Sequence, residues 1–341
     1  MNQTALSSES ESGASHADHD HSPFFAHHFE SPQQQFDAGK LGMWLFLITE
    51  ILFFSGLFVA YAVFRARHPE VFADAHLYLD KSLGTVNTVV LLFSSLTMAW
   101  AVRCAQLNQQ RGLIVCLTTT LACASLFLGI KAIEYAHKWD SGIFWAGMYQ
   151  PLADYHGDHG LSPFLIGLSV PALLALVIFA VAAVLAYARR ARQQLIVFGG
   201  LALTSLAFFV GVGCAKAVPV VVDAMVGGDH DQATVVSVEG GRTESVQEGS
   251  EDAEQPPDEA PETGPTGFSP AGIFFSIYFA MTGVHAIHIL AGMGVIAWLL
   301  VRSVRGDFTP TYFGPVDYVG LYWHLVDLVW IFLFPLLYLI Q

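Results

Sequence analysis

Seven long apolar stretches, separated by short polar segments, constrain the fold of this chain more than any other feature. They cover 41–64, 84–102, 112–136, 163–188, 195–222, 271–301 and 316–340. A helix needs about 20 apolar residues to cross roughly 30 Å of hydrocarbon, while a lone strand would leave its amides unpaired in lipid. The sequence therefore predicts an all-α, polytopic membrane helix bundle with seven transmembrane helices. The sixth stretch is longer than a crossing needs, so its helix should tilt or protrude.

Composition excludes several classes of protein. Only 13% of the 341 residues are charged, against about 25% in soluble domains. The net charge of −14 argues against a nucleic-acid partner, which needs clustered Lys and Arg. The four cysteines lie in or beside apolar stretches without a CxxC pair, so we expect small apolar side chains and no disulfide framework. They are Cys104, Cys116, Cys123 and Cys214.

The distribution of basic residues predicts the orientation, because Lys and Arg favour cytoplasmic loops. With the N-terminus in the cytoplasm, eight basic residues fall on the inner side and five on the outer side. The inner ones are Lys40, Arg103, Arg111, Arg189, Arg190, Arg192, Arg302 and Arg305, and the outer ones are Arg65, Arg67, Lys81, Lys138 and Arg242. We expect a cytoplasmic N-terminus and an external C-terminus. The first 35 residues lack the pattern of a signal peptide, so the first apolar stretch should direct insertion.

Two polar segments lie outside the predicted spans. The tail 1–40 carries a histidine tract that could bind a divalent metal, although its spacing fixes no geometry. Its histidines are His16, His19, His21, His27 and His28. The acidic stretch 223–270 has Arg242 as its only basic residue. Its composition favours a disordered linker, and the alternative is a docking site for a basic electron-donor protein.

Ionisable residues inside the spans are costly, so each suggests a role in function or assembly. Glu50 lies near the middle of the first span, where a function and a simple hydrogen bond to a neighbouring helix remain open. Lys131 and Glu134 are three residues apart and can pair on one helix face. The favoured interpretation is an ion pair at the outer interface, from which the lysine extends towards water.

Two further pairs of polar residues lie in the last two spans. His285 and His288 are one turn apart, and the flanking Gly283 and Gly292 would allow a close approach of helices. Hydrogen bonding between helices is favoured over a metal or haem site, because a metal would need more ligands. His324 and Asp327 are also one turn apart, and they could relay protons or bond to each other. In the second span, the small polar residues Asn87, Ser94, Ser95 and Thr97 are suited to packing between helices. No soluble catalytic motif is present.

Five stretches occur in the order found in one membrane-protein family. They read GMWLFLITEILFFSGLF, NTVVLLFSSLTMAWA, FLGIKAIEY, FFSIYFAMTGVHAIHILAGM and YWHLVDLVWIFLFPLLY. Together they resemble the successive transmembrane motifs of cytochrome c oxidase subunit III. The resemblance covers five of the seven spans. Lys131 stands where many members have Gln, and Ala286 replaces the usual Gly between the two histidines.

The resemblance implies an accessory subunit with no catalytic residue and no redox metal of its own. Its partners would be catalytic subunit I, which carries haem and copper, other oxidase subunits and phospholipid, with cytochrome c a further candidate at the acidic loop. It implies support of assembly, lipid binding and proton uptake in a proton-pumping terminal oxidase of aerobic respiration in a bacterial plasma membrane. Glu50 matches the family's buried, carbodiimide-reactive glutamate. The other matching positions are Glu134, His285, His288, His324 and Asp327, and Lys131 joins them as a polar residue inside the membrane.

The architecture departs from the family in one respect. The long form has two helices before the Glu50 motif, whereas this chain has only a polar tail, as in the five-helix bacterial forms. Two extra spans lie after the third motif. The sequence therefore predicts a core of 41–138 and 271–341, interrupted by an insertion at 139–222 and by the acidic loop. Two crossings preserve the orientation of the last two spans.

Three alternatives remain open. The chain could belong to a quinol oxidase or to a nitric oxide reductase-associated complex. It could be an independent proton or ion transporter, although no inverted repeat is evident. It could also be a haem-binding membrane cytochrome.

Overall fold

The computed structural model describes residues 29–143, 162–226 and 270–340 of the chain. Within these ranges the secondary structure consists of α-helices and one short 3₁₀ turn, without a named strand. The helices are α1 Pro32–Arg67, α2 Pro69–Ala75, α3 Lys81–Gln106, α4 Gln110–Asp140, α5 Pro163–Ala188, α6 Arg192–Val226, α7 Pro270–Arg305 and α8 Gly314–Tyr338. Seven of them are long and apolar enough to span a membrane, and α2 is the short exception.

The seven long helices confirm the predicted all-α, polytopic membrane bundle. Each contains or closely overlaps one predicted stretch, and the differences at the ends are a few residues of polar helix. The sixth long helix, α7, has 36 residues, or about 54 Å at 1.5 Å per residue. That length exceeds the hydrocarbon core and agrees with the expected tilt or protrusion.

Local sequence explains where several helices begin. Ser31 and Ser162 each accept a hydrogen bond from a backbone amide in the first turn of α1 and α5, and proline follows each serine. Asp80 caps α3 in the same way, accepting from the amides of Ser82 and Leu83. Such caps satisfy the unpaired amides at a helix start.

Helix α4 lies at the centre of the described bundle. It packs against α3, α6 and α7 and makes a smaller contact with α5. The core around it includes large aromatic side chains: Phe127, Trp330 and Tyr278 are each at most 1% exposed. The rings of Phe127 and Trp330 meet edge to face, with centroids 4.9 Å apart, a favoured aromatic geometry.

Helices α5 and α6 form a hairpin whose second helix crosses α4 at two glycines. A Cβ on Gly129 would lie 2.1 Å from the carbonyl oxygen of Phe208, and one on Gly211 would lie 2.3 Å from that of Leu126. The two backbones therefore touch, as small residues permit in membrane bundles. Helix α5 contributes little to the core, since no residue of its most apolar window is buried.

Glycine behaves differently at the two positions flanking the α7 histidines. A Cβ on Gly292 would lie 2.7 Å from the Trp323 ring, which confirms the predicted close approach of helices there. A Cβ on Gly283 would meet only the Tyr135 hydroxyl, at 4.0 Å. The predicted close approach of helices at Gly283 is therefore wrong, because the space beside that position is open.

The predicted histidine tract and almost all of the acidic stretch lie outside the described residues. This applies to the tail histidines from His16 to His28 and to 227–269. Their metal-binding and docking interpretations stay predictions.

Candidate functional site

Helix α4 positions three charged side chains on one face near its C-terminal end. Lys131 Nζ lies 2.8 Å from Glu134 Oε2, and Lys138 Nζ lies 3.1 Å from Glu134 Oε1. The spacings of three and four residues place them on adjacent turns. We call these three residues the Lys–Glu–Lys cluster. Two ammonium groups here share one carboxylate.

Two tyrosines from other helices enclose the Lys–Glu–Lys cluster. Tyr278 of α7 and Tyr338 of α8 donate hydrogen bonds to Glu134 Oε1, at 2.7 and 2.5 Å. Lys131 Nζ donates to both tyrosine hydroxyls, at 3.0 and 2.9 Å. Its ammonium also lies within 5.6 Å of four aromatic ring centroids, a favourable cation–π arrangement. The cluster thus joins α4, α7 and α8.

Burial corrects the predicted interfacial ion pair. Lys131 and Glu134 do pair, but they are only 5% and 4% exposed. The expectation that Lys131 extends to the interface is wrong, because the tyrosines and Lys138 close over it. Sequence reasoning counted Lys138 only as an outer-loop charge. Its position four residues after Glu134 was the signal that could have identified it as a partner.

Glu50 of α1 pairs with His288 of α7. Glu50 Oε2 and His288 Nε2 are 3.0 Å apart, and both side chains are partly exposed. His288 Nδ1 lies 2.8 Å from the Val284 carbonyl oxygen, which can only accept, so Nδ1 must be protonated. The contact between Nε2 and Oε2 then holds one shared proton, either on the carboxyl or on the imidazole. The structure brings together two residues that the sequence kept 238 positions apart.

His324 and Asp327 do not form the hydrogen-bonded pair that their spacing suggested. His324 Nδ1 lies 2.6 Å from the Ser95 hydroxyl of α3. Both Asp327 oxygens are buried without a hydrogen bond of normal geometry among the described residues, and Ser95 is the neighbouring polar side chain. The prediction of a self-satisfied pair is wrong, because α3 provides a better partner for the histidine.

His285 likewise differs from expectation. Its ring is fully buried, stacked on Trp330 with centroids 5.4 Å apart. Neither ring nitrogen has a hydrogen-bond partner in the part of the chain that the structure describes. Of the two histidines predicted to bond between helices, only His288 does so. Asn87, one of the small polar residues expected to serve helix packing, is also buried without a side-chain partner there.

Helix α3 makes polar contacts with α8, as the sequence predicted for Ser94. The Trp323 and Trp330 indoles donate to the hydroxyls of Ser94 and Thr88, at 2.8 and 3.1 Å. These bonds fix α8 against α3 along several turns. They position His324 and Asp327 towards the interior of the bundle.

An apolar groove of about 800 Å³ runs between α1 and α8. Its wall includes Phe54, Phe58, Leu328 and Phe332, and Arg65 lies at one end. Tyr61 fixes that end by donating a hydrogen bond to the Leu336 carbonyl oxygen, while Arg65 donates to the Tyr61 hydroxyl at 3.3 Å. The combination suits an amphiphile with an acyl chain and an acidic headgroup.

Metal ligands do not converge in the described part of the bundle. Within it, no group of three or more His, Cys, Asp and Glu side chains could hold a metal ion. His285 and His288 make separate contacts, with the Trp330 ring and with Glu50.

The fold and these buried polar groups define a polytopic membrane protein whose ionisable residues lie at helix contacts. Residues 264–341 match the family model for cytochrome c oxidase subunit III. This segment is similar to that family, and it contains α7, α8 and the residues His285, His288, His324 and Asp327.

Curated relatives that match a segment of similar length carry the name of the same family. "Probable cytochrome c oxidase subunit 3" of Mycobacterium bovis is 38% identical over 72 residues, covering 21% of this chain and 36% of the relative. "Cytochrome c oxidase subunit 3" of Corynebacterium diphtheriae is 41% identical over 71 residues, covering 21% and 35%. That of the fish Gadus morhua is 36% identical over 67 residues, covering 20% and 26%. The match spans about a third of the length of the bacterial relatives.

Proposed function

We propose that the chain is an accessory, non-redox subunit of a proton-pumping haem–copper terminal oxidase of the cytochrome c:oxygen type. The observation that carries this is the family match over 264–341, which includes the histidine of the Glu50–His288 pair. The relatives' names describe subunits of an oxidoreductase complex. On this proposal the chain contacts the catalytic subunit, which holds the haem and copper.

The proposed roles of this subunit are assembly, lipid binding and support of proton uptake. The shared proton between Glu50 and His288, at mid-span, supports a role in proton handling. The groove between α1 and α8 supports lipid binding, with the acyl chain on the apolar wall and the phosphate beside Arg65. The Lys–Glu–Lys cluster supports a stabilising role, because it ties together three helices of the proposed core.

We further propose that the subunit III-like core comprises 41–138 and 271–341, with 139–222 as an inserted segment. The hairpin of α5 and α6 supports this division, because α5 contacts only α4 and α6 among the described helices, while α8 packs against both α3 and α7. The proposed location is a bacterial plasma membrane, with the N-terminus in the cytoplasm and the C-terminus outside. The basic residues in the α5–α6 turn support that orientation.

Affinity purification of the tagged full chain from mild detergent, followed by mass spectrometry, tests the proposed function. We expect a haem–copper catalytic subunit at near-equal stoichiometry, and the accompanying subunits will identify cytochrome c or a quinol as the donor. Recovery of the chain alone, with a haem Soret band of its own, would instead make it an independent cytochrome. Recovery alone without haem would favour the transporter alternative.

Glu50 provides a test within the assembled complex. The substitution Glu50→Ala removes one partly exposed hydrogen bond, a loss of about 1–2 kcal/mol at most, so the haem absorption spectrum should be unchanged. Proton pumping, retained phospholipid or lifetime during turnover should fall. Glu70→Ala removes an exposed carboxyl from α2 and should alter none of these. If all three readouts match the native complex, Glu50 has only a structural role.

A further inference from the structure

A second, smaller groove lies between α6 and α7, at the end of the bundle where the α5–α6 turn lies. It encloses about 360 Å³. Gln193 and Gln194 of α6 and Arg305 of α7 line its mouth, and Val197, Phe198, Val301 and Val304 line its wall. It is separate from the groove between α1 and α8, with which it shares no lining residue.

The floor of this groove is set by a close contact deeper in the bundle. A Cβ on Gly200 would lie 3.4 Å from the Leu300 side chain, so α6 and α7 meet there. The groove lies between this contact and the helix ends at Arg192 and Arg305, which are eight residues away along α6 and five along α7. The wall residues are half-buried and apolar, whereas the mouth residues are exposed and polar. The groove is therefore amphiphilic along its length.

The charge at the mouth is positive and uncompensated. Arg305 has no ion pair or side-chain hydrogen bond among the described residues, and neither have Arg189, Arg190 and Arg192 of the adjacent turn. The nearby acid, Asp307, already pairs with Arg302 at 2.8 Å. Asp317 pairs with Lys40 on the opposite side, where α1 meets α8.

The backbone of the turn fixes where these arginines stand. Arg190 has φ of 55°, a left-handed conformation that is costly for a residue with a Cβ. The amide of Ala191 bonds to the Ala186 carbonyl oxygen across the end of α5 at 2.9 Å. This tight turn places Arg189, Arg190 and Arg192 within four positions beside the groove mouth.

We propose that this groove binds an anionic phospholipid, with its phosphate at Arg305 and Arg192 and an acyl chain along the valine and phenylalanine wall. A basic patch over an apolar surface is the arrangement that recognises acidic lipid headgroups. On the orientation proposed above, the lipid belongs to the cytoplasmic leaflet.

Native mass spectrometry of the full chain with phosphatidylglycerol or phosphatidylcholine tests the site. We expect one phosphatidylglycerol to be retained more tightly than phosphatidylcholine. Each arginine near a membrane surface contributes about 1 kcal/mol to anionic lipid binding, so Arg305→Gln should weaken that lipid about fivefold, and Arg192→Gln with Arg305→Gln about 30-fold. Free inorganic phosphate should not compete at equal concentration, because it cannot occupy the apolar wall.

Two further variants make the test decisive. Arg111→Gln removes the same charge from an exposed residue at the same end of the bundle, in the first turn of α4, and should leave retention unchanged. Val304→Trp fills the groove without changing charge and should also weaken the lipid. Equal retention of the two lipids by the native chain would overturn the proposal. So would undiminished phosphatidylglycerol binding by the double variant.

Discussion

Replacing Glu134 with glutamine is expected to lower the free energy of unfolding by about 3–5 kcal/mol, because a buried charge loses its counter-charge. Lys131 and Lys138 would remain buried, at 5% and 2% exposure, without a carboxylate. Glutamine preserves the shape of the side chain, so the loss reports charge rather than packing. Thermal and denaturant unfolding of the full chain in mild detergent measure it.

Two control variants separate charge from other effects. Glu70→Gln neutralises an exposed carboxyl, and surface charges contribute about 0–1 kcal/mol. The double variant Lys131→Gln with Glu134→Gln leaves one unpaired buried ammonium, that of Lys138, instead of two, so it should recover part of the loss. A cost for Glu134→Gln no larger than that of Glu70→Gln would show that the cluster is not electrostatically coupled.

Replacing Gly129 with alanine is expected to force α4 and α6 apart. The new methyl group would lie 2.1 Å from the Phe208 carbonyl oxygen, and backbone cannot move aside as a flexible side chain can. Overpacking typically costs about 1–3 kcal/mol, and backbone contacts reach the upper end. Lower thermal stability and faster amide exchange in α5 and α6 are the expected measurements.

Gly213→Ala is the matched control on α6. No atom lies within 4 Å of a Cβ at that position, and alanine improves helix propensity by up to about 1 kcal/mol over glycine. This variant should be neutral or slightly stabilising, whereas Gly211→Ala should resemble Gly129→Ala. Equal stability of Gly129→Ala and Gly213→Ala would mean that the α4–α6 backbone contact does not form.

The helices were predictable from the sequence because hydropathy depends on neighbouring residues alone. The seven apolar stretches predicted the seven long helices and their approximate ends, but not the short helix α2. The spacing of Lys131 and Glu134 gave their ion pair, since helix geometry fixes which residues share a face. Lys138 lies four residues after Glu134 and obeys the same spacing rule. It follows the end of the predicted third span, so its sequence position indicated only a basic residue on the outer side.

Contacts between helices were not predictable in the same way. The sequence indicated that Glu50 needed a polar partner, but 238 positions separate it from His288. Hydropathy also cannot tell which face of α8 meets α3, and that packing decides that His324 bonds to Ser95 rather than to Asp327. Family resemblance located the polar residues without giving their pairing.

The Lys–Glu–Lys cluster has a consequence for how the chain enters the membrane during synthesis. Its three charges lie on one helix, so the Glu134 carboxylate can offset part of the charge of the two ammonium groups as soon as α4 forms. The tyrosines that enclose Glu134 are translated 144 and 204 residues later. A pairing internal to α4 therefore lowers the cost of inserting that segment before its partners exist. The final helices then complete the hydrogen bonds when they arrive.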